Sequence, residues 1–164
     1  MLEFFGIGVG TIEIQLERFA YFPGETIRGE VRLKLSEPQS ARALIVGVRA
    51  RQKVVDRYRA ARENVLSYRN ETVWEFKREL GGTGVYTEGS YPFELVVPSD
   101  IFQAQVAPPP GLLGDVARAV SFLQPQKRFP LQWHVFAAVS RPWKVDVKKK
   151  VDIVVTERPE PGGR

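Results

Sequence analysis

Five basic residues, Arg49, Arg51, Lys53, Arg57 and Arg59, share odd parity. In an unbroken strand alternate residues point to one face, so all five would form a single cationic stripe. Guanidinium forks match carboxylate and phosphate oxygens better than an ammonium does, so the chemistry on offer is recognition of an acidic partner. Arg28, Arg32 and Lys34 form a second outward row, and Lys148 and Lys150 a third. Glu30, Glu71, Glu75 and Asp152 are interspersed and dilute the field, which argues against general nucleic-acid binding. RNA-binding sheets expose stacking aromatics, and this face has few beyond Tyr58 and Tyr68. The competing reading is a solvated face that resists edge-to-edge pairing.

Catalytic constellations are harder to assemble. His134 lies between Trp133 and Val135, on the parity opposite the apolar row. A catalytic histidine needs a nucleophile and an orienting acid; the chain has no G-x-S-x-G elbow, and Asp146 could approach only through the fold. Glu13/Glu17 and Glu71/Glu75 are carboxylate pairs, but at this spacing on strands they mark a wet face. Gly6, Gly8 and Gly10 miss the dinucleotide fingerprint, and an acidic strand follows where a helix would be needed. There is no cysteine and one histidine, which removes thiol catalysis, disulfides and the common zinc sites. The expectation is a non-enzymatic protein with no catalytic residues, cofactor or metal.

The elements that carry these residues repeat with period two. Ile12, Ile14 and Leu16 alternate with Glu13, Gln15 and Glu17, and Ile27 to Leu35 does the same. Each predicts a half-buried strand. Between them, Pro23-Gly24 predicts a type II turn, because proline sets φ at the first central position and glycine accepts φ > 0 at the second. Leu44, Val46 and Val48 open a third strand; Trp74, Phe76 and Leu80 mark a returning one. Tyr91 to Val97, Leu131 to Val139 and Val145 to Val155 supply the rest. Lys149 interrupts the inward row of the last, which predicts a bulge or an edge position there. Trp74, Phe93 and Trp133 fall on inward parities, and Trp143 is expected to pack beneath the Arg141-Pro142 turn. Leu112, Val116, Ala119, Val120 and Leu123 recur at helical spacing and predict one short amphipathic helix near residues 111–123.

The expected fold is therefore all-β: an immunoglobulin-like, two-sheet antiparallel sandwich with one short helix. With 164 residues, 43% hydrophobic and 26% charged, the chain has room for one such domain, read as 1–158, with a flexible tail over 159–164. Lys+Arg exceeds Asp+Glu by 24 to 19, and arginine outnumbers lysine sixteen to eight. No stretch has the roughly 20 apolar residues of a membrane span. The start lacks the basic region of a secretory signal, so a cytoplasmic protein is expected and the Asn70-Glu71-Thr72 sequon is read as chance.

Four stretches in order give the chain a family likeness: Tyr21 to Val31, Glu88 to Pro98, Trp133 to Val139 and Arg141 to Val147. Together they resemble an arrestin-type N-terminal domain. The opening Phe5-Gly6-Ile7-Gly8-Val9-Gly10, leading to the Pro-Gly-Glu turn, is most similar to the bacterial and archaeal sporulation-control type of arrestin-like protein. The resemblance implies a β-sandwich used as a scaffold, without catalytic residues. Two departures matter. Such proteins usually carry two sandwiches, and this chain has length for one. The paired lysines of receptor-binding arrestins are absent, with Glu3, Glu13 and Glu17 in that region, so phosphoreceptor binding is not carried over.

The functional expectation is an adaptor that binds a protein partner of unknown identity through a sheet edge or the basic sheet face. The alternative is a basic surface protein that binds anionic polymers, nucleic acid or lipid headgroups. A homodimer is also expected: Leu2, Phe4, Phe5 and Ile7 lack an electrostatic guard and could add to a neighbouring sheet.

Overall fold

The computed structural model describes residues 9–99 and 130–159. The helix expected near residues 111–123, the run Leu2 to Ile7 and all but the first residue of the tail lie outside these.

The chain runs β1 (Gly10–Leu16), β2 (Ala20–Tyr21), β3 (Thr26–Ala41), β4 (Ala43–Val55), α1 (Arg57–Glu63), β5 (Tyr68–Gly81), β6 (Gly84–Val96), β7 (Gln132–Ser140) and β8 (Val147–Val155). Among the described residues two sheets form, one of three strands in the order β1-β3-β6 and one of five in the order β2-β8-β7-β4-β5. Pairing is antiparallel throughout, apart from two residues of β2 that run parallel to β8. The sandwich read from the period-two rows is the fold observed.

The alternating rows account for the core. Ile27, Val31, Leu33 and Leu35 of β3 face Leu44, Val46, Val48 and Ala50 of β4 and Trp133, Val135, Ala137 and Val139 of β7 within one buried cluster. Each fully buried Val, Leu or Ile contributes about 1.5–3 kcal/mol. Ala50 is flanked in register by Trp133 on one side and Trp74 on the other. Its small side chain lets the two indoles meet, with ring centroids 5.8 Å apart. At the predicted turn, Gly24 has φ 86° and Glu25 N–H donates to the Phe22 carbonyl at 3.1 Å, as type II geometry requires.

Three strands cannot cover five. The outermost β5 overhangs, so Phe76, on the inward parity, is exposed and Trp74 only half-buried. Lys149 also takes an edge position: β8 pairs in unbroken register with β7 and, at that height, with no other described strand. No bulge is needed, because the lysine stem can leave through the open side.

Trp143 corrects an expectation. It is 98% exposed, with φ 60°, rather than packed under the β7–β8 turn. Arg141 fills that space, donating from Nε to the Val145 carbonyl at 2.9 Å and from its backbone N–H to Asp146 Oδ1 at 3.3 Å. A turn closed on its own polar groups leaves no room for an indole.

Candidate functional site

The basic residues divide at Val55. Arg49, Arg51 and Lys53 lie on the outward face of β4, as their parity predicts. Arg57 and Arg59 do not continue that face, because the strand ends and α1 begins. Asp56 caps the helix: its Oδ1 accepts the Arg59 N–H at 3.1 Å, and its carbonyl accepts the Ala60 N–H at 2.9 Å. Asn64, in the left-handed region at φ 52°, ends it. The expected five-residue stripe is thus three residues on a sheet and two on a helix. The missed signal was Asp56 ahead of Ala60-Ala61-Arg62-Glu63, a cap followed by strong helix formers.

Register sets the surroundings of Arg49. Asp152, His134, Arg49 and Glu75 form one row across β8, β7, β4 and β5, on the outward face. Arg49 Nε donates to Glu75 Oε2, and Lys77 Nζ lies 2.9 Å from Glu75 Oε1. Burial works against the Glu75 carboxylate, but hydrogen bonds from Lys77 and Arg49, with their charges, outweigh it and hold its pKa below the ordinary value. The Arg49 guanidinium also lies over the Phe136 ring, 4.4 Å from its centroid. Phe136 lies over Gly47, where an added Cβ would come within 2.4 Å of the ring. The charge of Arg49 is therefore held within the sheet.

The other two strand residues differ. Arg51 reaches the Asn70 carbonyl through Nη2 at 3.4 Å, while its buried Nε has no hydrogen-bond partner among the described residues. Lys53 Nζ is 4.8 Å from the centre of the Tyr68 ring. On the helix, Arg59 pairs with Glu63 at 3.4 Å across one turn.

His134 is 5% exposed, although it lies on the parity opposite the apolar row. Its pKa is lowered to about 4, first by burial and then by the charges of Arg49, Lys150 and Arg51, with Asp152 opposing. It is uncharged at neutral pH. Its register neighbours are Arg49 and Asp152, and Phe136 stands edge-on to it at 6.2 Å. None of these carries the hydroxyl or thiol that a histidine base activates. Among the described residues no three His, Cys, Asp or Glu side chains converge to hold a metal ion, and no helix is long and apolar enough to cross a membrane.

The two arginines of the second basic row are balanced as well. Arg28 pairs with Glu94 at 2.9 Å and Arg32 with Glu30 at 2.6 Å on the outer face of the three-stranded sheet. A broad cleft of about 790 Å³ opens beside these pairs, lined by Leu16, Gly29 and Phe93 together with Arg78 and Leu80 of β5. Its polar wall carries both signs of charge.

The two sheets and their strand order give the described residues the fold of an arrestin-type β-sandwich. No family model matches the chain, and no curated protein matches it by sequence. Among solved structures it is similar to Spo0M, a sporulation control protein from Bacillus subtilis, with a TM-score of 0.60 and 19% sequence identity. The likeness covers 93% of this chain and 51% of that one, so the chain spans about half the length of its structural neighbour. At this identity the likeness is one of fold.

Proposed function

We propose that the chain is a non-catalytic adaptor that receives a segment of a protein partner along the edge of β5. The observation that carries this reading is the position of β5: fourteen residues long, outermost in its sheet, and paired on one side only among the described strands. Such an edge offers a row of backbone donors and acceptors to an incoming strand. The edge is also selective. Register breaks opposite Leu44/Ile45 and Ala50/Arg51 twist it, and alternating charges from Arg69 to Glu79 discourage indiscriminate pairing. The basic face is the weaker docking surface, since Arg49 and Arg59 are engaged within the chain. Spo0M is named as a sporulation control protein, and a regulatory scaffold of this fold needs no catalytic residues. A cytoplasmic adaptor of one domain, with β1 as a second open edge for self-association, completes the reading.

Val73→Pro provides the test. Val73 is the exposed residue at the second register break, with no partner on β4, so proline there spares the β4–β5 pairs and blocks strand addition. Partners retained by the wild-type chain at moderate salt are lost with Val73→Pro, at an unchanged melting temperature. Retention that survives the substitution, or disappears with moderate salt alone, contradicts the proposal.

A further inference from the structure

We propose that the lobe between β4 and β5 is a membrane-interface anchor, which lays its apolar side chains on the surface of a bilayer containing anionic phospholipid. This goes beyond the adaptor reading and does not depend on the β5 edge.

Among the described strands the lobe projects from the sandwich. Pairing of β4 with β7 stops at Arg51 and Gln132, whereas β4 and β5 continue together from Gln52 and Glu71 to Val55 and Tyr68. These four further pairs make a two-stranded ribbon about 13 Å long. A hydrogen bond from Asp56 N–H to the Ser67 carbonyl, 2.8 Å, closes the tip. Inside that closure α1 buries no residue at all.

What the tip exposes is unusual for a water-facing loop. Tyr58 is 78% exposed, Leu66 64% and Val65 62%, with Val55 and Tyr68 also exposed at the base. Single exposed apolar residues are ordinary; five exposed together on one projecting element mark an interaction site. Lys53, Arg57, Arg59, Arg62 and Arg69 surround them, against three acids, Asp56, Glu63 and Glu71. All three acids are occupied locally: Asp56 caps the helix, Glu63 pairs with Arg59, and Glu71 pairs with Arg69.

Branched aliphatic side chains, a tyrosine and a surplus of arginines on one projecting tip form the pattern of an interfacial anchor. The apolar groups enter the headgroup–acyl boundary, and the arginines meet lipid phosphates. A soluble polyanion would account for the cations but give Val65 and Leu66 nothing to bury against.

The chain carries its own control. Trp143 is also exposed but follows Ser140, which pairs with Ala43 at the far end of β4. That is twelve residues from Val55, or about 40 Å. Docking by the tip leaves Trp143 in water.

The experiment is flotation with vesicles of phosphatidylcholine mixed with phosphatidylglycerol, against vesicles of phosphatidylcholine alone, with heparin as a soluble polyanion. The wild-type chain floats with the mixed vesicles and not with the neutral ones. Tyr58→Ser/Leu66→Ser lowers the affinity by at least about tenfold. Arg59→Gln/Arg62→Gln lowers it by about 25-fold at low salt. Both variants keep the wild-type melting temperature, since α1 buries nothing, and acrylamide quenching of Trp143 is unaffected by vesicles. Val73→Pro still floats, which separates this proposal from failure of the β5 adaptor. Absence of flotation with mixed vesicles overturns the proposal. So does flotation, or heparin binding of equal strength, that the Tyr58/Leu66 variant does not weaken. Shielding of Trp143 by vesicles overturns it as well, because the opposite end would then be docking.

Discussion

Acidification offers a sharp perturbation, because His134 is the single histidine of the chain. In the fold its pKa is lowered from 6.5 to about 4 by burial and by the cations Arg49, Lys150 and Arg51. The unfolded chain takes up a proton as pH falls below 6.5, whereas the folded chain does so only near pH 4. The unfolded state binds the extra proton in that window, so stability falls as pH falls through it. The slope approaches about 1.4 kcal/mol per pH unit, and the total is about 3 kcal/mol. For a chain of this size that corresponds to a drop in melting temperature of about 10 °C. Above pH 6.5 this group contributes no pH dependence. Glu75 and Glu30, whose pKa values are lowered in the fold, add their own loss only as pH falls below the ordinary carboxylate range. The interval from pH 6.5 to 5 therefore isolates the histidine. The assay is urea unfolding at several pH values for wild type and His134→Gln, with a proton NMR titration of the imidazole. A titration midpoint near 6.5, or identical pH slopes for the two chains, would refute the buried, cation-flanked setting.

Two shorter predictions rest on the same sheet geometry, and a third on the sequence of the N-terminal run. Gly47→Ala places a Cβ 2.4 Å from the Phe136 ring and 2.6 Å from the Phe76 carbonyl, so it should cost about 1–3 kcal/mol by denaturant unfolding. Glu75→Ala strands Arg49 on a half-buried face and should cost about 1–2 kcal/mol, between exposed and buried ion pairs; a double-mutant cycle with Arg49→Ala should give a coupling well above zero. If the expected homodimer forms, light scattering gives twice the 18.6 kDa of the chain, and deleting residues 1–8 returns it to monomer; a monomer mass across micromolar concentrations rejects it.

The fold was legible because alternation is a local property of sequence: Ile27 to Leu35 and Leu131 to Val139 show their buried face without any partner. The Pro23-Gly24 turn was legible for the same reason. The site was less so, because its character depends on register. Arg49 looks like an available cation until Glu75 and Phe136 are seen to flank it across the sheet. His134 looks solvated by parity, and only the third dimension shows it enclosed. Arg57 and Arg59 share parity with Arg49 by coincidence: a helix of seven residues is too short for its own period to stand out, and the Asp56 cap was the one local clue. Trp143 illustrates a further limit, since its exposure follows from Arg141 occupying the turn.

The central claim, docking along β5, is tested most directly by amide hydrogen exchange of the chain with a captured partner bound. Protection newly gained by outward-facing amides between Tyr68 and Gly81, with the β7 and β8 amides unchanged, is the predicted result. A complex that leaves the β5 amides exchanging as before, and protects another edge or only the lobe at Arg57–Leu66, contradicts it.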